Sequence, residues 1–196
     1  MCGRFSLDTN IDMLIERYKA IKTVGRFNPQ EEVFPTNMVP IVINNNNNNN
    51  ELKIMKWGFM PAFTKKPIIN ARTETVDIKP LFKNSFYSRR CLVPVTSFFE
   101  WQNINGKKIK RKISVKDENI FSLAGLYNVF RDTDGKEYES FTIITTDANE
   151  TMKEIHHRMP VILPREMEKY WLDTSSGDLD IIKSIMKPYD GKIIIV

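Results

Sequence analysis

Cys91-Leu92-Val93-Pro94-Val95-Thr96-Ser97-Phe98-Phe99-Glu100-Trp101 is the densest apolar stretch of the chain, and it decides the fold class. Its pattern of β-branched and aromatic residues predicts strand. Glu100 lies between aromatic residues near the end of the stretch. A carboxylate in such surroundings is poorly solvated, which suits it to proton transfer. Because strand side chains alternate between faces, an exposed position for Glu100 is the open alternative.

Other strand-like segments flank this stretch on both sides. Residues 107–115 form a basic one, which we expect at a sheet edge because lysines discourage edge pairing. Asp132-Thr133-Asp134-Gly135 is a strong hairpin signal between residues 121–130 and 138–145. The seven asparagines at 44–50 lie where another hairpin turns, and we expect a flexible loop tip without function. Further strands are expected at residues 39–43, 52–60, 161–163 and 192–196.

Helical patterns lie at the ends and the rim of this strand-rich chain. Residues 9–20 place apolar side chains at i, i+3, i+4 and i+7, with Thr9 as the expected N-cap. Residues 24–37 are expected to form a loop. We therefore predict an α+β fold, a single domain over residues 1–196 with a twisted, mainly antiparallel, barrel- or sandwich-like β core and peripheral helices. Other helices are expected within residues 76–88 and at 149–156, 165–172 and 179–186.

The composition is that of a globular protein. The chain has 196 residues, of which 41% are hydrophobic and 27% charged, enough for one domain with a good core. No run is apolar for long enough to cross a membrane, and the start lacks a secretory signal pattern. Two cysteines, Cys2 and Cys91, fit a reducing compartment, so a cytoplasmic location is expected. The net charge of +5 mildly favours a polyanionic partner.

The first four residues, Met1-Cys2-Gly3-Arg4, have the most distinctive chemistry. Removal of Met1, which we expect, would leave Cys2 with a free α-amine beside its thiol. The amine forms a Schiff base with an aldehyde, and the thiol then closes a thiazolidine ring on the same carbon. Arg4 adds a permanent cation suited to a phosphate. The ordinary alternative is a frayed and inert terminus.

Two adjacent histidines are the next candidates for chemistry. Neighbouring positions of a helix point about 100° apart, so at most one of His156 and His157 faces a given site. Their spacing does not suit metal ligands, and we expect no metal and no cofactor. A solvated helix end is the alternative for this pair.

Several residues have side chains suited to single-stranded nucleic acid. Asn70, Arg72 and Glu74 share one face of a segment that we expect to be extended, where Asn and Arg can bind sugar and phosphate. Trp57 and Phe63 have rings that can stack on bases. Thr145 follows an apolar strand and can donate its hydroxyl. Each of these residues fits plain core or rim as well.

Six motifs follow one another along the chain: Met1-Cys2-Gly3-Arg4-Phe5, Trp57-Gly58-Phe59-Met60-Pro61, Ile69-Asn70-Ala71-Arg72-Thr73-Glu74-Thr75, Arg90-Cys91-Leu92-Val93-Pro94, Phe98-Phe99-Glu100-Trp101 and Ile155-His156-His157-Arg158-Met159-Pro160-Val161-Ile162-Leu163. Taken together and in this order, they resemble the SRAP family, the SOS response-associated peptidases or abasic-site processing proteins. The resemblance implies a protein that binds single-stranded DNA, captures the aldehyde of an abasic site and forms a thiazolidine crosslink through its N-terminal cysteine, shielding the lesion. It also implies autocatalytic, peptidase-type removal of Met1, lyase-like chemistry, a link to the SOS response and action as a monomer near the nucleoid.

The resemblance implies a role for each matching residue. Cys2 is the nucleophile, and Asn70 holds the terminus and the sugar. Glu100 moves a proton beside the Schiff base, while His156 helps to open the sugar ring and to reverse the link. Phosphate contacts are implied for Arg4, Arg72, Thr145 and Arg158.

Two segments depart from the family pattern. Phe63-Thr64 stands where many members have two tryptophans, which implies a smaller stacking platform. Glu32-Val33-Phe34-Pro35-Thr36 replaces a Tyr-Asn-x-Ala-Pro loop, so contacts of that loop do not carry over. Two other functions stay open: a cysteine hydrolase that uses Cys2, His156 and Glu100, and a non-covalent nucleic-acid-binding module.

Overall fold

Two β-sheets carry the fold in the computed structural model, which describes residues 2–22, 27–45, 47, 49–175 and 178–196. The smaller sheet is antiparallel throughout. Its strands, in spatial order, are Ile193–Ile195 (β14), Lys107–Val115 (β9), Ser97–Ile104 (β8), Phe5–Leu7 (β1) and Gln30–Val33 (β3). The larger sheet contains Ile21–Lys22 (β2), Met38–Asn44 (β4), Asn50–Trp57 (β5), Asn70–Arg72 (β6), Arg90–Val95 (β7), Phe121–Arg131 (β10), Glu137–Asp147 (β11), Arg158–Pro160 (β12) and Ile162–Leu163 (β13).

The larger sheet closes on itself. β11 pairs antiparallel with β10 and parallel with β5, so β11, β10, β7, β4 and β5 form a closed five-stranded barrel. All six residues of β7 are buried, and so are most of those of β11. The predicted α+β class with a mainly antiparallel, barrel-like core is confirmed, and parallel pairing is limited to β2–β5, β11–β5 and β11–β6 among the described strands.

Residues 90–101, expected as one strand-like stretch, form two strands in different sheets. β7 ends at Val95 in the barrel, and β8 begins at Ser97 in the smaller sheet. Thr96 stands between them and donates its backbone N–H to the carbonyl of Ser6 at 2.8 Å. Because β8 also pairs with β1, this change of sheet carries the N-terminal residues and Glu100 together to one side of the barrel.

The helices are peripheral, as expected. They are Ile11–Tyr18 (α1), Pro80–Ser88 (α2), Glu150–Lys153 (α3), Glu168–Leu172 (α4), which follows a 3-10 turn at Arg165–Met167, and Leu179–Ile185 (α5). The predicted cap Thr9 is wrong, because the side chain of Asn10 accepts the hydrogen bond from the Met13 N–H at 2.9 Å. Helix α3 is shorter than the predicted 149–156, so both histidines lie beyond it. No helix within the described ranges is long and apolar enough to cross a membrane.

The loops differ from expectation in two places. The predicted loop at 24–37 contains β3, and its residues 24–26 lie outside the described part of the chain. Strand β9 is not a full edge strand, because β14 pairs with its residues 113–115. Both predicted hairpins are confirmed, at Asn44 opposite Asn50 and at Arg131 opposite Glu137. Within the asparagine run, positions 46 and 48 lie outside the described residues.

Gly58 turns the chain out of the barrel after β5. Its φ of +111° favours glycine, and a Cβ there would lie 2.5 Å from the Cβ of Pro67. The chain then returns through an isolated bridge between Phe59 and Ile68 and continues as β6 alongside β11. This return places Asn70 and Arg72 at the rim of the barrel.

Candidate active site

Cys2 is fully buried where the chain enters the smaller sheet. Phe5 of β1 pairs with Phe98 of β8, and the carbonyl of Arg4 accepts a 2.9 Å hydrogen bond from the Phe99 N–H. Extended toward the terminus, this antiparallel register brings Gly3 opposite Glu100. Strand pairing therefore fixes the first residues of the chain against the end of β8.

Asn70 contacts Cys2 directly. Its side-chain Nδ2 donates to the carbonyl oxygen of Cys2 at 3.1 Å and to that of Ile69 at 2.7 Å. The Ile69 carbonyl also accepts a hydrogen bond from Trp57 Nε1 at 3.2 Å. Asn70 itself is held by the parallel pairing of β6 with Ile143 on β11. The barrel thus supplies a fixed amide that orients the backbone of Cys2.

Glu100 is buried in the same cluster. Its residue is only 3% exposed, so the expectation of poorly solvated surroundings is confirmed and the exposed alternative is wrong. Its negative charge acts on both the Cys2 thiol and the His156 imidazole. The structure therefore brings together four side chains that are far apart in the sequence: Cys2, Asn70, Glu100 and His156.

The environment of Cys2 keeps its sulfur protonated. Burial raises the pKa of the Cys2 thiol far above its ordinary value, and the charge of Glu100 raises it further. Cysteine hydrolases rely on a thiolate, which they obtain by lowering this pKa with a cation or a helix N-terminus. The surroundings of Cys2 act in the opposite direction.

His156 lies just beyond α3, with its ring fixed by the backbone. Nδ1 lies 2.9 Å from the Arg158 backbone nitrogen and 3.2 Å from the Arg158 carbonyl oxygen. Burial lowers the pKa of His156 below its ordinary value, and the Glu100 charge opposes that shift only in part. The ring is therefore mostly neutral at neutral pH.

The two histidines do not point apart as predicted. Because both lie beyond the helix, their rings stack, with centroids 4.4 Å apart. His157 is exposed and lines a groove of about 660 Å³ together with Asp147 and Tyr189.

Gln102 joins β8 to the histidine segment. Its Nε2 donates to the carbonyl of Glu154 at 3.0 Å, and its Oε1 accepts from Arg111 Nε at 2.9 Å. Sequence reasoning missed this residue. Its position two residues after Glu100 on a strand was the available signal, because residues i and i+2 share a face.

Comparison with known proteins identifies the family. The family model described as SOS response associated peptidase (SRAP) matches residues 1–196. The chain belongs to the SRAP family. The abasic site processing protein YoqW of Bacillus subtilis (strain 168) is 39% identical over 199 residues, covering 97% of this chain and 88% of that protein. The abasic site processing protein YedK of Escherichia coli (strain K12) is 28% identical over 178 residues, covering 88% of this chain and 79% of that protein.

Solved structures share the SRAP fold of this chain. A crystal structure of a Bacteroides thetaiotaomicron protein superposes with a TM-score of 0.88 at 32% identity, covering 99% of this chain and 90% of that one. A Bordetella bronchiseptica protein superposes with a TM-score of 0.85 at 21% identity, covering 100% of this chain and 98% of that one, which shows the fold alone.

Some of the predicted DNA contacts of this SRAP domain lie on accessible surfaces. Phe63 is 77% exposed and shares a groove of about 810 Å³ with Asn70 and Arg72. Arg72 is exposed, and it lies on the same side of β6 as Asn70, as the sequence predicted. Arg4 is partly exposed on the smaller sheet.

Three other predicted contacts lie beneath the surface. Trp57 is fully buried between Phe5 and Phe141, so no ring face is open to a base. Thr145 is fully buried and donates its hydroxyl to the Ala71 carbonyl at 3.4 Å. Arg158 is 7% exposed.

The guanidinium of Arg158 is engaged by protein groups. It bonds Glu74, Asp147 Oδ1 at 2.8 Å and the Thr145 carbonyl at 2.7 Å. The predicted extended face ends at Arg72, because Glu74 lies in the turn after β6, where it reaches Arg158. Across the described ranges, no group of three or more His, Cys, Asp or Glu side chains is placed to hold a metal ion.

Proposed function

We propose that this SRAP protein processes abasic sites in single-stranded DNA by forming a covalent thiazolidine link through Cys2. The observation that carries the proposal is the placement of Cys2, which Asn70 holds through its carbonyl at 3.1 Å beside Glu100 and His156. The SRAP relatives YoqW and YedK are abasic site processing proteins by name, which supports the same function.

Removal of Met1 is the first step of the proposal. Hydrolysis of the Met1–Cys2 peptide bond consumes one water and frees the α-amine of Cys2. The family description as a peptidase supports removal by the protein itself. The hydrogen bond from Asn70 to the Cys2 carbonyl holds the backbone on the carboxyl side of that bond.

Crosslink formation then follows in two balanced steps. The amine adds to the aldehyde carbon of the abasic sugar, and Glu100 transfers one proton from the nitrogen to the oxygen, which becomes a hydroxyl. A second proton, supplied by solvent, lets this hydroxyl leave as water and gives an iminium ion. The thiol then adds to the same carbon of the iminium ion, and its proton passes through Glu100 to solvent, which balances the proton taken up earlier. The overall reaction joins protein and DNA with the loss of one water.

A protonated thiol fits this order of events. Since the pKa of Cys2 is raised, the sulfur does not attack first as a thiolate. The amine, whose ordinary pKa is about 7.7–8.0, has a free fraction near neutral pH and begins the reaction. The rival cysteine hydrolase needs the opposite shift of the thiol pKa.

His156 acts on the sugar in this proposal. An abasic deoxyribose is mostly a closed ring, and opening it requires a proton on the ring oxygen. The protonated form of His156, a minor fraction at neutral pH because burial lowers its pKa, supplies that proton. Reversal of the link uses the same group in the other direction.

The DNA strand is held by accessible residues near the cluster of Cys2, Asn70, Glu100 and His156. Arg4 and Arg72 contact phosphates, and Phe63 stacks on a base beside the lesion. Trp57, Thr145 and Arg158 support the cleft from beneath, since their side chains are buried. One adduct per protein monomer is the expected stoichiometry.

The test is incubation with a single-stranded oligonucleotide that carries one abasic site. We expect a heat-stable band whose mass is the sum of the mature protein and the DNA less one water. Cys2→Ala should abolish it, whereas Cys91→Ala, which removes the other buried cysteine, should retain it.

Two results would reject the mechanism. One is a stable band that survives Cys2→Ala, and the other is a band that survives an uncleaved N-terminal tag, since the tag blocks the amine. Repeated cleavage of added peptides with Cys2 regenerated would favour the hydrolase. Salt-sensitive binding without any adduct would favour the non-covalent module.

A further inference from the structure

The outer face of the smaller sheet carries aromatic rings and cations next to Cys2. Trp101 on β8 pairs with Lys110 on β9, so their side chains share one face of the sheet. The Arg4 guanidinium lies 5.1 Å from the centroid of the Trp101 ring and 4.3 Å from that of the Phe34 ring. Arg4, whose side chain lies on this face, is two residues from Cys2 in the sequence.

One carboxylate bridges the two cations of this face. Glu32 Oε2 accepts from Arg4 Nη1 at 2.9 Å, while its other oxygen, Oε1, accepts from Lys110 Nζ. All three side chains are partly exposed, by 28% for Arg4, 31% for Glu32 and 36% for Lys110. The hydrogen bond from Lys110 holds the pKa of Glu32 below its ordinary range, so the bridge is anionic at neutral pH.

The Glu32 carboxylate matches a phosphodiester in its charge and in its number of accepting oxygens. A phosphodiester carries one negative charge shared by two non-bridging oxygens, and Glu32 presents one charge on two oxygens to the same pair of cations. Arginine and lysine are the usual hydrogen-bond donors to phosphate oxygens. Five of the six residues from 107 to 112 are basic, so the rest of the strand favours a polyanion as well.

We propose that Lys110 joins Arg4, whose phosphate contact belongs to the proposed function, in a phosphodiester subsite for single-stranded DNA beside the abasic nucleotide, and that Glu32 occupies this subsite until the DNA displaces it. The inference rests on the proposed function for the identity of its ligand. Partly exposed ion pairs contribute little to stability, so displacement of Glu32 is within reach of a phosphate. Glu32 also keeps both cations ordered in the free protein, and it opposes small anions that make only one contact.

The test uses a single-stranded oligonucleotide without a lesion, so no crosslink chemistry is involved. Affinity is measured by fluorescence anisotropy over a series of salt concentrations. Glu32→Gln should bind about three- to tenfold more tightly, because the competing charge is gone. Lys110→Gln should bind more weakly, and the slope of log K against log salt should become shallower by about 0.7.

Glu139→Gln is the matched control. Glu139 is also 31% exposed and also pairs with one lysine, Lys53 at 3.0 Å, so the substitution changes the net charge equally. It lies six residues from Thr145 along β11, about 20 Å away. This variant should bind within about twofold of the wild type.

The outcomes separate this subsite from the thiazolidine chemistry. Tighter binding by Glu32→Gln than by Glu139→Gln, together with weaker binding by Lys110→Gln, supports the subsite even if no crosslink forms at Cys2. Equal binding by Glu32→Gln and Glu139→Gln overturns it, even if the crosslink forms. In the Lys110→Gln background, removal of Glu32 should give a smaller gain; an undiminished gain would show that Glu32 does not act through Lys110.

Discussion

The side-chain amide of Asn70 donates a 3.1 Å hydrogen bond to the carbonyl oxygen of Cys2, across 68 residues of sequence. Asn70 stands on β6, which the barrel holds through β11, whereas Cys2 leads into β1 of the other sheet. The position of the nucleophile thus depends on both sheets at once. A substitution that shifts either sheet should therefore change the position of Cys2.

Asn70→Ala should slow crosslink formation about tenfold. The variant removes the donor to the Cys2 carbonyl, and a lost hydrogen bond of this kind is worth about 1–2 kcal/mol. The measurement is the rate at which the covalent band appears with an abasic oligonucleotide in excess. Asn84→Ala, an exposed position on α2, is the control and should react at the wild-type rate. An unchanged rate in Asn70→Ala would remove the role that we assign to this amide.

Phe63→Ala should weaken DNA binding without weakening the fold. The ring is 77% exposed, so its loss should change the free energy of unfolding by less than about 0.5 kcal/mol. Loss of a stacked base should reduce affinity by about 1–3 kcal/mol. Tyr170→Ala removes another exposed ring, on α4, and should bind DNA normally. Equal affinities of Phe63→Ala and Tyr170→Ala would place the stacking contact elsewhere.

Arg158→Met should destabilise the protein by about 2 kcal/mol, measured by urea unfolding. The substitution removes buried hydrogen bonds to Glu74, Asp147 and the Thr145 carbonyl. The carboxylates of Glu74 and Asp147 are 48% and 77% exposed and stay hydrated, which limits the loss.

Arg131→Met provides the comparison for Arg158. Arg131 also pairs with a glutamate, Glu137, but its side chain is 72% exposed at a hairpin. We expect a change within about 0.5 kcal/mol, because exposed pairs contribute little. Similar losses of unfolding free energy in Arg158→Met and Arg131→Met would mean that burial does not determine how much Arg158 contributes to stability.

Stability should fall below about pH 6.5 in a way that depends on His156. Its pKa is lower in the folded protein than the ordinary 6.5, so between these two values the unfolded chain binds more protons. The free energy of unfolding therefore rises with pH through this window, and the contribution of His156 to it disappears as the pH falls. His156→Gln lacks this term, whereas His157→Gln, at an exposed neighbour, should keep it.

Thermal unfolding at about pH 7.5 and about pH 5.5 measures this difference. The wild type and His157→Gln should lose more in Tm over the interval than His156→Gln does. Glu32 and Glu74 have lowered pKa values, so they change stability only below pH 4.5, outside this interval. Identical losses in all three proteins would show that His156 is not held neutral by the fold.

Local patterns were sufficient for the elements whose contacts are local. The hairpin at residues 132–135, helix α2 and the strand pattern of β4 followed from neighbouring residues alone. Helix α3 ended early, because its extent depends on the cap at Asn149 and on the turn that carries the chain into β12. A strand such as β3, with polar residues and a short length, has no local signal and exists because β1 lies beside it.

The aromatic residues show why exposure could not be assigned from sequence. In the sequence, Trp57 and Phe63 are equal candidates for stacking on bases, because both are aromatic. In the structure, Trp57 is fully buried and Phe63 is 77% exposed. Gly58, between them, turns the chain out of the barrel, so residues on its two sides meet different surroundings. Period-two alternation assigns a strand residue to one of two faces, but the partner elements decide which face is covered.

The residues themselves determined the chemistry available to this protein: an aminothiol once Met1 is removed, a carboxylate among aromatic rings, one imidazole pair and a basic strand. Tertiary structure alone decided that Cys2, Asn70, Glu100 and His156 meet, that Arg158 is enclosed by carboxylates, and that Glu32 bridges Arg4 and Lys110. The physical reason is that side-chain type sets what a group can do, whereas its protonation and its partners depend on burial and on neighbours distant in sequence.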